Sequence, residues 1–406
     1  MKARGLLLVL LLALGTLAVA QRDEENRPTP EQTKAYKALS SLISPAEMSS
    51  TLKRLTRFPS RVTGYPGADD AGRYVEGEFR RLGLENVRSQ PWQATIPVDR
   101  GASLAVRGGK QYKLNCVWPN SVRTSKLHPE GITGPLIYGG NGEVSELNGK
   151  TVAGSIVLVD FNSGSRWLNG PRLGAKAVVF VEPESTSRGE AEAKFLTVPL
   201  NMPRFWISRQ DAPALIALSR SPNPPSVTLH ADMAWEHRTA NNILGQITGS
   251  DPELKKQIIV VQAYYDATSV VPGRAPGAES AGGINALLQL AKAYQQVKPK
   301  RTVWFLATNG HYQALGGIRY WLENNWKELE QNSTRQNLQN WLATRMPGIF
   351  HYTKREPPQI YLFAGLDLSS QTKGLGVFYK GWYYDFREDL QSKFSDIARA
   401  DRENAE

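Results

Sequence analysis

Two hydrophobic periods alternate along residues 258–317. Ile258-Ile259-Val260-Val261 is a β-branched run that leads to Tyr264-Tyr265-Asp266. Such a short apolar run predicts a buried strand. A Pro/Gly-rich loop from Pro272 to Gly283 follows. Ile284, Leu287, Leu288, Ala291 and Tyr294 then recur at helical spacing. A second apolar run, Val303 to Leu306, leads to Thr308-Asn309-Gly310-His311-Tyr312. Strand, helix and strand in that order predict parallel strands joined by a crossover. Chemistry in such sheets sits just past the carboxyl ends of the strands, which here are Tyr264–Asp266 and Gly310–Tyr312.

Elsewhere the pattern is plainer. Ser44-Pro45-Ala46-Glu47 reads as a capping box opening a helix to about Leu55. Ala71, Tyr74, Val75, Phe79 and Leu82 mark one face of a helix ending at Gly83. From Gly101 to His237 the pattern becomes short strands with turn signals. Val152–Val159, Ala177–Val181 and Phe205–Ser208 are its strand candidates. Asn241-Asn242-Ile243-Leu244-Gly245 reads as a further core strand, and Tyr361–Leu366 as another, ending at Asp367. Residues 324–358 are polar with helical composition, and Asp385–Glu406 reads as a charged helix.

At the amino end, Lys2 and Arg4 precede an apolar run, Gly5–Val19, closed by Ala18-Val19-Ala20. This is the pattern of a cleaved export signal. The expectation is a periplasmic or extracellular protein, in contact with a membrane surface where one is present. The predicted plan is a signal over 1–20, a flexible charged lead-in over 21–43 and a core in two parts, 44–100 and 238–406. Between those parts lies a β-rich insertion over 101–237.

Composition narrows the partners. The chain has 406 residues, 41% of them hydrophobic, enough to build full cores. Its formal net charge is +11, which stays strongly positive once Lys2 and Arg4 are removed and suits an anionic surface. No basic stripe interleaved with aromatics appears, so nucleic acid is not an expected partner. Cys116 is the only cysteine, so the fold does not rely on disulfides, and the thiol reads as buried and inert. His128, His230 and His237 are scattered. Asn332-Ser333-Thr334 is a glycosylation sequon that matters only in a eukaryotic secretory setting.

The 258–317 stretch resembles the core of the co-catalytic di-zinc exopeptidases, the family of bacterial leucyl aminopeptidases. Ala263, Tyr265 and Asp266, Pro276-Gly277-Ala278, Gly310, Gln313, Leu315 and Gly317, and Leu366-Asp367 carry the likeness. Arg61-Val62-Thr63-Gly64 resembles the family's amino-terminal segment. Gly154–Val159 with Gly174–Val179 resembles the protease-associated domain often inserted in these proteins. The resemblance implies an α/β fold: a mixed, mainly parallel sheet between helices, with an inserted β-rich domain.

It also implies where metal chemistry belongs. The family's zinc-binding His position holds Tyr264, the bridging Asp falls at Glu279 or Ser280, the general base is His311, and the neighbouring ligand is Tyr312. Asp367 matches a ligand, and Asp266 matches the carboxylate that orients the His. The family's last ligand is a late His, and the only His after His311 is His351, before Asp367.

Three readings stay open. In the first, hydrolysis is lost, no cofactor is held, and the protein binds a peptide, a glycan or another envelope protein. In the second, Asp266, Glu279 and Asp367 rebuild a zinc centre with His311 as base. In the third, Ser280, His311 and Asp367 form a nucleophile set. The expected cofactor is therefore none, or zinc if the centre is rebuilt.

Overall fold

The computed structural model describes residues 29–120, 122–195, 200–325 and 359–368. The expectations for the signal, for most of 324–358 and for 385–406 lie outside them. The chain divides into two compact units, one of Met1–Ser44 with Ser370–Glu406, the other of Pro45–Ser369. In the first, a helix spans Pro30–Ser40, with Thr29 and Gln32 forming a capping box.

In the second unit, ten strands among the described residues form one sheet: β1 (Glu85–Val106), β2 (Gln111–Cys116), β3 (Ile132–Tyr138), β4 (Ile156–Asp160), β5 (Ala177–Val181), β6 (Arg204–Ile207), β7 (Ser226–Ile247), β8 (Gln257–Tyr264), β9 (Thr302–Thr308) and β10 (Gln359–Gly365). Their order is β1-β2-β6-β5-β4-β3-β7-β9-β8-β10, with β1 also pairing β7. The fold is mixed α/β. β8 runs parallel to both β9 and β10, as the crossover pattern requires. β3 to β6 form a second parallel set. The 22-residue strands β1 and β7 pair antiparallel along nearly their whole length, Glu85↔Gln246 to Val106↔Val227. This ribbon carries the chain out of the core sheet and back, and positions 101 and 237 lie within it.

The core sheet is covered on both faces. On one, Val75 and Phe79 of the Pro66–Arg81 helix and Ile284, Leu287, Leu288 and Ala291 of the Gly282–Gln296 helix pack on Val261, Val303 and Phe305. Phe79 meets Phe305 edge to face at 6.4 Å. Burying each such side chain contributes about 1.5–3 kcal/mol. On the other face Ile258, Val260 and Leu306 pack against Trp321. The outer strands have their own cores on their two sides. One of these takes in Val270 and Val271 from the loop after β8, tying the insertion to the site loop.

Two boundaries differ from the sequence pattern. The helix read from Ala71 begins at Pro66, because Pro occupies the first turn, where no N–H is needed. The strand read from Val152 begins at Ile156, because Gly154 turns the chain at φ +77°.

Candidate functional site

The carboxyl ends of β8 and β9 lie side by side, with Tyr264 opposite Thr308. Side chains alternate across a strand. Ala263 and Tyr265 therefore enter the helix-covered core, while Gln262 and Tyr264 face a cavity of about 260 Å3. His311, Leu315, Ile318, Thr308, Leu366 and Asp367 complete its lining.

Aromatic packing fills the strand ends. The Tyr264 and His311 rings stack at 3.8 Å, and Tyr312 stands edge-on to both. The Tyr264 hydroxyl donates to Asp367 Oδ1 at 2.7 Å. Burial, then the hydrogen bond to Asp367, push the Tyr264 phenol well above its ordinary range, so it stays a donor. Burial lowers the His311 pKa, with Asp367 opposing, which favours the neutral imidazole. Ser280 Oγ lies 3.1 Å from the Tyr312 hydroxyl; it pairs there and not with His311, so the nucleophile set is not assembled.

Beneath this layer is a fully buried polar frame. Asp266 is 0% exposed, as is Arg61. Asp266 Oδ1 accepts the His311 N–H at 3.2 Å. The Thr63 hydroxyl donates to Asn309 Oδ1 at 2.8 Å, with Asp266 Oδ2 3.2 Å away. Asn309 in turn donates to the Tyr265 hydroxyl, which donates to the Asn241 carbonyl. The Arg61 guanidinium donates to the carbonyls of Tyr265, Pro276 and Gly277. It thereby ties the end of β8 to the loop before the Gly282–Gln296 helix. Burial raises the Asp266 pKa to about 6, with backbone N–H groups opposing, and burial lowers that of Arg61 to about 10, with Asp266 opposing.

The turn after β9 is strained. Ala314 and Leu315 hold φ of +53° and +58°, a region that L side chains enter at a cost of about 1 kcal/mol each. Gly310 has φ +81°, and a Cβ there would lie 2.5 Å from the Trp92 ring, so only glycine fits.

The predicted site residues are thus only partly gathered. His311 and Asp367 share the cavity, and Asp266 lies below it with its oxygens turned to the 311 N–H and Thr63. Glu279 is absent from the cavity lining. A catalytic zinc takes about three protein ligands. Among the described residues no group of three or more His, Cys, Asp or Glu is placed to hold a metal ion. The zinc pair that the resemblance implies does not fit this donor set. The sequence did not mark Arg61, Thr63 or Asn309 as site residues; the signal available was the Arg61–Gly64 motif, whose Thr63 contacts Asp266 and whose Arg61 holds the loop carbonyls.

Comparison with known proteins follows the same lines. Residues 242–360 match the model of Peptidase family M28. The likeness to that family is thus carried by the stretch from β7 to β10. A vacuolar membrane protease of Schizophyllum commune is 31% identical over 120 residues, which cover 30% of this chain and 13% of that protein. The BOS complex subunit NCLN of Canis lupus familiaris is 33% identical over 104 residues, 24% of this chain and 18% of that one. This chain therefore spans only a small part of either relative. Among solved structures, the zinc aminopeptidase BSAP of Bacillus subtilis aligns at a TM-score of 0.47 with 21% identity, covering 64% of this chain and 60% of that one. The peptidase M28 precursor of Shewanella amazonensis aligns at 0.48 with 15% identity, covering 76% and 72%.

Proposed function

We propose that this is an exported M28-type protein that does not hydrolyse peptides and instead uses its strand-end cavity to bind one, presented free or as a segment of an envelope protein. The observation that carries the reading is the Tyr264–Asp367 hydrogen bond under the His311 stack. A tyrosine hydroxyl with a raised pKa is a poor metal ligand, and here its proton is committed to the one carboxylate that matches a ligand position. The names of the relatives, a vacuolar membrane protease and a zinc aminopeptidase, favour a peptide as the ligand class. Export rests on the Lys2–Ala20 pattern. Among the described residues no helix is long and apolar enough to cross a membrane.

The test is the zinc content of the purified chain after dialysis against zinc, with aminoacyl p-nitroanilides assayed alongside. The expected result is no zinc above the buffer and no turnover. One tightly held zinc per chain, with hydrolysis abolished by His311→Ala and by Asp367→Ala, would overturn the reading in favour of a rebuilt centre.

A further inference from the structure

Midway along the β1–β7 ribbon, one face is open to solvent and carries no charge. Between Gln90 and Val98 neither strand pairs with a third among the described residues. β2 joins β1 only over Ala102–Ala105, β3 joins β7 over Ser226–Leu229, and β9 joins β7 over Ile243–Ile247. The register sets Pro91 opposite Asn241, Gln93 opposite Thr239, Thr95 opposite His237 and Pro97 opposite Trp235. Pleating puts these four pairs on one face, a strip roughly 20 Å long. The other face carries Trp92, Ala94 and Ile96, which pack on the core side. Glu236 and Arg238 stand opposite Ile96 and Ala94 on that face and pair with each other. Of the whole chain 21% is charged, yet the outer strip has no charged residue, so the ribbon sorts its charge to the inner face.

Cross-strand hydrogen bonds hold the strip in place. The Ser89 hydroxyl donates to Asn241 Oδ1 at 3.1 Å, and Gln93 Nε2 donates to Thr239 Oγ1 at 3.1 Å. Thr95 Oγ1 lies 3.1 Å from His237 Nδ1. Each of these contacts uses one polar atom of an amide or imidazole and orients the other. Gln93 Oε1, His237 Nε2 and Asn241 Nδ2 have no protein partner among the described residues. Trp235 closes the strip. Its side chain is 51% exposed, and no other described tryptophan is exposed.

The chemistry of the strip narrows what it fits. An anionic partner would need cations, and the strip has none. An apolar peptide would need a contiguous apolar patch, and here polar pairs separate the prolines and the indole. What remains is a flat row of oriented donors and acceptors ending on an exposed ring. Sugar hydroxyls both donate and accept, as these amide and imidazole groups do. The face of an indole is electron-rich and attracts the C–H edges of a sugar ring.

We infer that this strip binds a neutral polysaccharide chain, which stacks on Trp235 and bonds to Gln93, His237 and Asn241. The inference is independent of what the strand-end site does. The experiment titrates the purified full chain by calorimetry with cellohexaose and, in a second arm, with N-acetylchitohexaose, each at low and high salt. The expected result is saturable binding that salt leaves unchanged. Trp235→Ala should weaken it about three- to tenfold and Gln93→Ala about threefold, both with the parent's thermal unfolding, while Lys298→Ala changes nothing. Binding in the first arm alone supports the inference with an unsubstituted glucan as ligand, and binding in the second alone supports it with an N-acetylated one. No saturable binding in either arm overturns it. So does binding that high salt abolishes, or binding that Trp235→Ala and Gln93→Ala both leave intact.

Discussion

Replacing Arg61 by Met keeps much of the side chain's length and apolar stem and removes its guanidinium. Three carbonyls then lose their donor, that of Tyr265 in a buried site and those of Pro276 and Gly277 in partly buried ones. An orphaned buried acceptor costs about 1–3 kcal/mol and a partly buried one less. Relaxation of the loop offsets part of the sum, so we expect a loss of about 3 kcal/mol, read as a lower midpoint in urea unfolding followed by tryptophan fluorescence. Asp266→Asn separates the hydrogen-bond and charge contributions. The Asp266 carboxylate favours the charged form of Arg61 against its burial, and such a coupling acts both ways. Once Arg61 is gone, neutralising Asp266 should recover at least about 1 kcal/mol. A loss below about 1 kcal/mol for Arg61→Met, or single losses that simply add in the double variant, would refute the coupling.

Asp266 also sets a pH dependence. Its folded pKa is raised by burial to about 6 from 3.8, so between those values the folded state binds more protons than the unfolded one. Stability therefore rises as pH falls from 7 towards 4, by up to about 3 kcal/mol from this group, and Asp266→Asn should flatten the curve in chemical unfolding. Gly310→Ala must fit a Cβ against Trp92 at a φ of +81° and should lose more than about 2 kcal/mol with a change in tryptophan emission. Both amide atoms of Gln313 are buried without a partner, so Gln313→Met should be neutral or stabilising by about 1 kcal/mol in thermal unfolding. Burial raises the Cys116 thiol far above its ordinary range, and it should react with a disulfide reagent only after unfolding.

Legibility in the sequence followed the range of the signal. β8, β9 and the helix between them stand out because their apolar periods change from strand to helix to strand within one stretch, and their boundaries need no distant partner. The β1–β7 ribbon does not stand out. Its 22-residue strands alternate only in part: in β1, Trp92, Ala94 and Ile96 are buried between exposed Gln93 and Thr95, but positions 85–91 and 98–103 hold no buried residue. Its register is fixed by pairing across more than a hundred residues, which no local pattern reports. At the site, Tyr264, His311 and Asp367 were legible as positions but their contacts were not. That Tyr264 would reach Asp367, and that Ser280 would turn to Tyr312, depend on where two loops meet. Arg61 was hidden for a simpler reason: a lone arginine in a loop reads as solvated, and only the converging carbonyls of the loop after β8 make its burial tolerable.

The buried carboxylate bears most directly on what the site is for. Asp266 stands where the family holds a carboxylate that orients a metal-binding histidine, yet the preceding residue is Tyr264-Tyr265 and no histidine lies there. Its role here needs no metal. Asp266 accepts the His311 N–H, and the N–H groups of His311 and Tyr312 both favour its charged form. It thereby anchors the first residues of a turn that holds two non-glycine residues at positive φ. Such strain persists only where surrounding contacts over-determine the backbone, and Arg61, Thr63, Asn309 and Asp266 supply those contacts. The turn they hold presents His311 and Leu315 to the cavity. The frame thus fixes that wall of the cavity through contacts among the protein's own groups.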